Sequence, residues 1–255
     1  MNDELLLYHS SDGVALLRLN RPEALNALNR ALTGALIAAV ERARRDEAVR
    51  CLIITGNGRA FCAGGDLKEM PTLSPAEFRE YILLLQRLSA EMRRLAKPIV
   101  AAVNGYCLAG GFELAVSCDL RIAAESAVFG LPDTALGISP TSGMTYLLPR
   151  IVGMGWAKHL TLVGESIDAA TAERIGLVTQ VVPAAEMEGR ARELAGKIAA
   201  HPPLGVRHVK QGFDLAADAP FGAALTYETE AETACFATDE VQAALRAFAN
   251  RKKGS

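Results

Sequence analysis

Two short loops in this chain combine small residues with groups that could do chemistry. They are Ala60-Phe61-Cys62-Ala63-Gly64-Gly65-Asp66-Leu67 and Gly105-Tyr106-Cys107-Leu108-Ala109-Gly110-Gly111-Phe112-Glu113-Leu114. Glycines have no Cβ, so a ligand can approach the backbone closely. N–H groups at a helix start lack intrahelical acceptors and carry partial positive charge. Two such donors converging on one point would stabilise the negative oxygen of an enolate. The plainer alternative is that the glycines only make tight turns or close packing. Neither loop has the G-x-x-x-x-G-K-[ST] pattern of a phosphate loop. Two acids stand beside these loops. Glu113 follows Gly110-Gly111 by two residues, and Asp133 sits in the turn Gly130-Leu131-Pro132-Asp133-Thr134. Taken alone, Glu113 reads as a charge at a helix start and Asp133 as a helix N-cap.

The elements that must position these residues can be read from periodicity. Leu5–His9 and Val14–Asn20 are apolar runs separated by Ser10-Ser11-Asp12-Gly13, which predicts a hairpin. Residues 30–46 have helical spacing, with Leu32, Leu36, Ile37 and Val40 on one face and Arg42, Arg44 and Arg45 near the C-terminal end. Arg50–Thr55 reads as a buried strand. Residues 75–95 read as a helix with Phe78, Ile82, Leu85, Leu88 and Met92 inward, and Ile99–Val103 as a second buried strand. Each glycine loop thus follows a buried strand and is expected to lead into a helix. Alternating strands and helices predict an α/β architecture with parallel strands. From about residue 184 the pattern becomes helical, over 186–200, 204–217, 222–235 and 239–251.

The 255 residues suffice for one large domain or a domain with a small appendage. The net charge of −2 gives no bias toward nucleic acid or an anionic membrane. Five cysteines without a C-x-x-C pair argue against a disulfide framework or zinc site and for a reducing compartment. The four histidines include no i, i+4 pair, so no metal site is expected. The acidic start does not read as a signal peptide, and the apolar stretch from Pro98 to Phe112 is too short and glycine-rich to span a bilayer. A cytoplasmic protein is the expectation.

Longer stretches around the loops resemble a known family. Ile53–Met70 (IITGNGRAFCAGGDLKEM) and Pro98–Ile138 (PIVAAVNGYCLAGGFELAVSCDLRIAAESAVFGLPDTALGI) look like signatures of the enoyl-CoA hydratase/isomerase, or crotonase, family. Leu19–Leu28 (LNRPEALNAL) is similar to its early coenzyme-binding turn, and Gly164–Val182 to its later helix–strand segment. The resemblance covers nearly the whole chain. It implies an α/β, crotonase-like superhelix of repeated ββα units over residues 1–195. A helical C-terminal trimerisation region over 196–255 completes the implied fold, giving a homotrimer or homohexamer. The implied substrate is an acyl-CoA thioester, with coenzyme A part of the substrate and no other cofactor, metal, nucleic acid or membrane partner. Carried over by position, the oxyanion donors are the N–H groups of Gly65 and Gly110; many members have Ala where Gly65 stands.

The same resemblance gives the two acids roles. Hydratases of the family have glutamates at the positions of Glu113 and Asp133. Adding water across a conjugated double bond needs one carboxylate to take a proton from water and another to supply one to the α-carbon. Glu113 is assigned mainly to the first step and Asp133 mainly to the second. Asp133 is one methylene shorter than the usual glutamate, and a misplacement of about 1 Å can cost on the order of a hundredfold in rate. The runner-up activity is a 3-enoyl to 2-enoyl isomerase working through Asp133. A non-catalytic acyl-CoA or RNA-binding member is a third reading. Thr141 stands where ring-type and dienoyl isomerases often have an acid, and with Ser142 it is expected either to shape the acyl end of the pocket or to cap a helix. Ala24 in the early turn and Ala63, Asp66, Leu67 and Lys68 in the first loop are the expected coenzyme contacts. Phe248 and Arg251 in the tail join them, often across to a neighbouring subunit, whereas Lys252 and Lys253 read as a solvated helix end. Glu23 replaces a lysine common in the family.

Overall fold

The computed structural model describes residues 4–251, with side chains described as far as Phe248. The chain opens with the antiparallel hairpin β1 (Leu6–Ser11) and β2 (Val14–Leu19). Asp12 and Gly13 turn it, with φ of 51° and 79°, the left-handed pair that a two-residue hairpin loop requires. Helix α1 (Arg30–Arg45) starts at Asn29, whose side chain accepts from Leu32 N at 2.8 Å. Then β3 (Cys51–Gly56), β4 (Ala60–Cys62) and α2 (Pro75–Arg94) follow. Ser74 and Glu77 form a reciprocal capping box at the start of α2, with Pro75 in its first turn. The unit repeats as β5 (Ile99–Val103), β6 (Tyr106–Leu108) and α3 (Gly110–Val116). It repeats again as β7 (Leu120–Ala124), β8 (Val128–Gly130) and, after a 3₁₀ turn at Pro132–Leu136, α4 (Met144–Lys158). The ββα succession that the resemblance implied is present.

The strands sort into two sheets. The first has six strands in the order β1-β2-β3-β5-β7-β10, where β10 is Gln180–Val182; every pairing after the hairpin is parallel. The second joins β4, β6, β8 and β9 (Ile167–Asp168). Alternation along β3 explains why the strand is buried on both faces. Leu52 and Ile54 face the main core with α1 and α2, whereas Cys51 and Ile53 face Met187, Ala191 and Ala195 of α6 (Met187–Ala199). Helix α6 continues through residue 195 without a break. Between β9 and β10 lies the short α5 (Ala169–Arg174).

The predicted C-terminal helices are α7 (Pro203–Ala216), α8 (Phe221–Phe236) and α9 (Asp239–Arg251). Polar ties dock α7 on the core. Lys210 Nζ donates to Asp119 Oδ2 at 2.8 Å and to Met92 O at 3.2 Å, and Arg93 pairs with Asp214 at 3.0 Å.

The structure corrects one expectation that matters for the site. The first glycine loop does not open into a helix; residues 66–72 form turns and a 3₁₀ segment at Met70–Thr72, and α2 begins only at Pro75. Pro71 has no N–H to continue a helix, and the capping box at Ser74 starts a new one.

Candidate active site

Strands β4 and β6 lie parallel, with Cys62 opposite Cys107, so the loops that leave them run side by side. The contact is too close for side chains. A Cβ on Gly111 would stand 2.0 Å from the carbonyl oxygen of Cys62, and one on Gly64 would stand 2.8 Å from the Ala109 Cβ. Gly64 has φ of 109°, open only to glycine in practice, and Ala109 is held at φ 47°, ψ −124° despite its Cβ. Such a backbone persists where its surroundings over-determine it. The result brings two donors together. Gly65 N lies 3.5 Å from where a Gly110 Cβ would be, and neither N–H has an acceptor among the described residues.

The loop carrying Gly65 is pinned from behind. Leu28 N donates to Gly64 O at 2.7 Å, Asp66 N to Leu28 O at 3.2 Å, and Tyr81 Oη to Leu28 O at 2.6 Å. Gly65 itself faces Met70 Sδ and Tyr81 Oη, which a Cβ would approach to 2.8 and 3.0 Å.

Both acids are buried beside these donors. Glu113, one turn into α3, is 2% exposed, and Asp133 in the 3₁₀ turn is 7% exposed. Glu113 Oε1 accepts the Thr141 N–H at 2.6 Å. The other oxygen, Oε2, has no partner among the described residues, and neither does Asp133 Oδ2. Burial pushes the Glu113 carboxyl up to about 7; the Thr141 N–H and the nearby Ser142 hydroxyl oppose the rise, and the neighbouring Asp133 charge adds to it. Burial also raises Asp133. Glu113 stands in the first turn of α3, where the sequence places a charge, but Asp133 is not a helix N-cap: it lies inside the 3₁₀ turn, which has no side-chain cap, and α4 begins at Gly143 without one. The capping reading of Thr141 and Ser142 is corrected in the same way.

A cavity of about 470 Å³ joins these groups. Gly65, Gly110, Glu113, Asp133 and Thr141 all line it, together with Ala63 and Leu67. Its apolar wall comes from Phe78, Ile82 and Leu85 of α2 and from Met70, Leu136 and Ile138. A larger cavity of about 810 Å³ lies against the C-terminal helices, lined by Lys210, Phe213 and Val241 among others, but neither the glycine donors nor the two acids reach it. The chemistry therefore selects the smaller one.

Other expected contacts lie outside the cavity lining. Asp66 is 6% exposed and paired with Arg21 at 2.8 Å; burial alone would raise its carboxyl, but Arg21 and the Lys68 N–H hold it below its ordinary value. Ala24 ends a 3₁₀ turn at Pro22–Ala24, and Lys68 is exposed next to the loop. Phe248 is exposed on α9, and the side chain of Arg251 lies outside the described residues, as do Lys252 and Lys253. The sequence reading missed Tyr81 and Met70, and it took Phe78, Ile82 and Leu85 for core. A pocket wall and a core face share the same helical spacing, so periodicity offered no signal to separate them.

Among the described residues no group of His, Cys, Asp and Glu could hold a metal ion. Cys62 adjoins the first loop, but burial pushes its thiol up to about 12, far from a reactive thiolate at neutral pH.

The raised Glu113 carboxyl has a measurable consequence for stability. The unfolded chain loses this proton near 4.5 and the folded chain near 7. Between those values the folded state binds more protons, so stability falls as pH rises through the window. A shift of this size corresponds to roughly 3 kcal/mol. Glu113→Gln is expected to raise the thermal midpoint above that of the unaltered protein at pH 8 but not at pH 4. Thermal unfolding at both values checks this, and an equal change at each pH would contradict it.

Comparison with known proteins agrees with this geometry. The family model described as enoyl-CoA hydratase/isomerase matches residues 9–255. The chain is 40% identical to the short-chain-enoyl-CoA hydratase of Clostridium acetobutylicum, over 94% of this chain and 92% of that one. It is also 40% identical to the crotonyl-CoA hydratase of Syntrophomonas wolfei, over 99% and 97%. The crystal structure of an enoyl-CoA hydratase from Bacillus anthracis matches with a TM-score of 0.94 at 35% identity, covering 97% of each chain. With its paired loops, its ββα succession and its match along nearly the whole length, the chain belongs to the enoyl-CoA hydratase/isomerase family.

Proposed function

We propose that this protein is a 2-enoyl-CoA hydratase. The observation that carries the reading is the pairing of two buried acids, each with one unpartnered oxygen, on the wall that also bears two free N–H groups. The thioester oxygen sits between the N–H groups of Gly65 and Gly110. Glu113, ionised, takes a proton from a water molecule as its oxygen bonds to C3. The π electrons move through C2 onto the thioester oxygen, and the enolate charge rests on the two donors. Asp133 delivers a proton to C2 as the carbonyl reforms. Proton exchange with water then resets both acids.

Retention of Glu113 favours hydration over an isomerase that shuttles a proton through Asp133 alone. The experiment is a parallel assay of 2-hexenoyl-CoA and 3-hexenoyl-CoA. Hydration of the 2-enoyl thioester is expected to exceed conversion of the 3-enoyl thioester by at least tenfold in kcat/KM. The reverse order would make the protein an isomerase.

The coenzyme is proposed to lie along Ala63 and Leu67 with its phosphates toward Lys68, and Ala24 is proposed beside it. Asp66, bound to Arg21, serves that site by fixing the loop. Phe248 and Arg251 are proposed to reach a neighbouring subunit's coenzyme in a homotrimer or homohexamer. Exposed apolar side chains on α7 and α8, among them Val209, Phe213, Phe221 and Leu225, support self-association of this region. Among the described residues no helix is long and apolar enough to cross a membrane.

A further inference from the structure

Three buried serines meet behind Glu113, and none of them lines the substrate cavity. Ser89 is on the inner face of α2, Ser117 follows the last residue of α3, and Ser142 lies in the loop before α4. Ser89 Oγ is 2.9 Å from Ser117 Oγ and 3.0 Å from Ser142 O, and Ser117 Oγ is 2.8 Å from Glu113 O. Two hydroxyl protons serve these contacts. Glu113 O already accepts the helix N–H of Ser117 at 2.9 Å. The arrangement that satisfies most groups therefore runs from the Ser117 hydroxyl to Ser89 Oγ, and from the Ser89 hydroxyl to Ser142 O. Hydrogen bonds in such a chain reinforce one another.

What the chain anchors is a strained piece of backbone. Ser142 and Gly143 are consecutive left-handed residues, with φ of 55° and 80°. For Ser142, which has a Cβ, that conformation is unfavourable and needs outside support. The residue just before it, Thr141, gives its N–H to Glu113 Oε1 at 2.6 Å. A void of about 10 Å³ beside the serines is otherwise lined by Leu28, Leu85, Leu88, Met92, Leu114 and Gly110. Among the described residues, no polar side chain other than the serines lines that void.

We propose that Ser89 and Ser117 are positioning residues: their hydroxyl relay holds the Ser142 carbonyl, keeps the left-handed loop in place, and so aims the Thr141 N–H at Glu113. The inference rests on the hydratase reading above, in which the direction of Glu113 Oε2 decides where water is activated. Misdirecting a catalytic group by a fraction of an ångström to 1 Å lowers turnover without removing the substrate site.

The test uses the whole protein and crotonyl-CoA, with the unaltered chain measured first. Ser89→Ala is expected to lower kcat by about tenfold while KM stays within about twofold. Ser89→Thr, which keeps the hydroxyl, is expected to recover most of the loss. In a Glu113→Gln background, measured at raised enzyme concentration, Ser89→Ala is expected to add nothing, because the group it positions is gone. Circular dichroism checks the fold, and Ser89→Cys, a weaker donor of similar volume, takes the place of Ser89→Ala if that variant does not fold. An unchanged kcat in the folded variant, or a loss that adds in full to that of Glu113→Gln, overturns the relay and leaves the hydratase reading standing. Absence of hydration by the unaltered chain overturns the hydratase reading, and the relay with it.

Discussion

Glu113→Gln and Asp133→Asn are each expected to lower the hydration of crotonyl-CoA by on the order of 10²–10⁴-fold, the range for removing a general acid or base. Both changes keep the shape of the side chain. In Glu113→Gln the side-chain carbonyl oxygen can still accept the Thr141 N–H, so the bond that now holds Glu113 Oε1 at 2.6 Å survives. What is lost is the basic oxygen Oε2, which in Glu113 has no partner among the described residues and is free to take a proton. The amide introduced by Asp133→Asn likewise cannot hold the proton that C2 requires. KM is expected to change less than kcat, because both groups act on atoms that change charge only in the transition state. The measurement is kcat and KM for each variant by loss of the conjugated enoyl thioester absorbance. A Glu113→Gln protein that keeps its activity while Asp133→Asn loses it would leave Asp133 as the sole acid–base group.

Gly111→Ala is expected to damage fold and activity together. A Cβ at this position would lie 2.0 Å from the oxygen and 2.6 Å from the carbon of the Cys62 carbonyl. Both are backbone atoms of a buried strand, so relief requires β4 and α3 to part. Overpacking of this kind costs about 1–3 kcal/mol or more. Parting the loops also separates the N–H groups of Gly65 and Gly110, and loss of one oxyanion donor lowers turnover by about 10²–10³-fold. The expected result is a thermal midpoint lower by roughly 5–10 °C and kcat reduced at least a hundredfold. Gly65→Ala is the control. Its Cβ would meet the flexible thioether of Met70 at 2.8 Å and the Tyr81 hydroxyl at 3.0 Å, both side-chain ends rather than backbone, so its kcat is expected within about tenfold of the unaltered protein. A Gly111→Ala protein as active as the Gly65→Ala control would show that the close contact of the loops does not set the donors.

Long periodic elements were legible in the sequence. The strand Ile99–Val103 has the predicted bounds, and the helices at 30–45 and 75–94 bury the predicted Leu32, Leu36, Leu85 and Met92. The second sheet was not legible. Strands of two or three residues, such as Ala60–Cys62 and Tyr106–Leu108, are too short to carry an alternation, and their pairing is decided by neighbours more than forty residues away. That sheet is what sets the loops against each other, so the glycines could be recognised as a pattern while their contact could not.

The site was legible in the same partial way. Family motifs pointed to Glu113 and Asp133, and the structure adds their burial and the unpartnered oxygen on each. Asp66 looked like a pocket residue because it follows Gly64-Gly65, yet its partner is Arg21, forty-five positions earlier. Contacts of that kind depend on the packed fold and leave no local trace. The serine relay is another: Ser89, Ser117 and Ser142 are ordinary residues in three separate segments until α2 and α3 come together.

The most direct test of the account follows the oxygen of water. 3-Hydroxybutyryl-CoA is incubated with the protein in ¹⁸O-labelled water, and the position of the label is read by fragmentation mass spectrometry. Reversible hydration places the label in the C3 hydroxyl, at a rate that falls by at least a hundredfold in Glu113→Gln. Label in a released carboxylate would mark hydrolysis of the thioester, and no label in either place would remove water addition from the chemistry of this site.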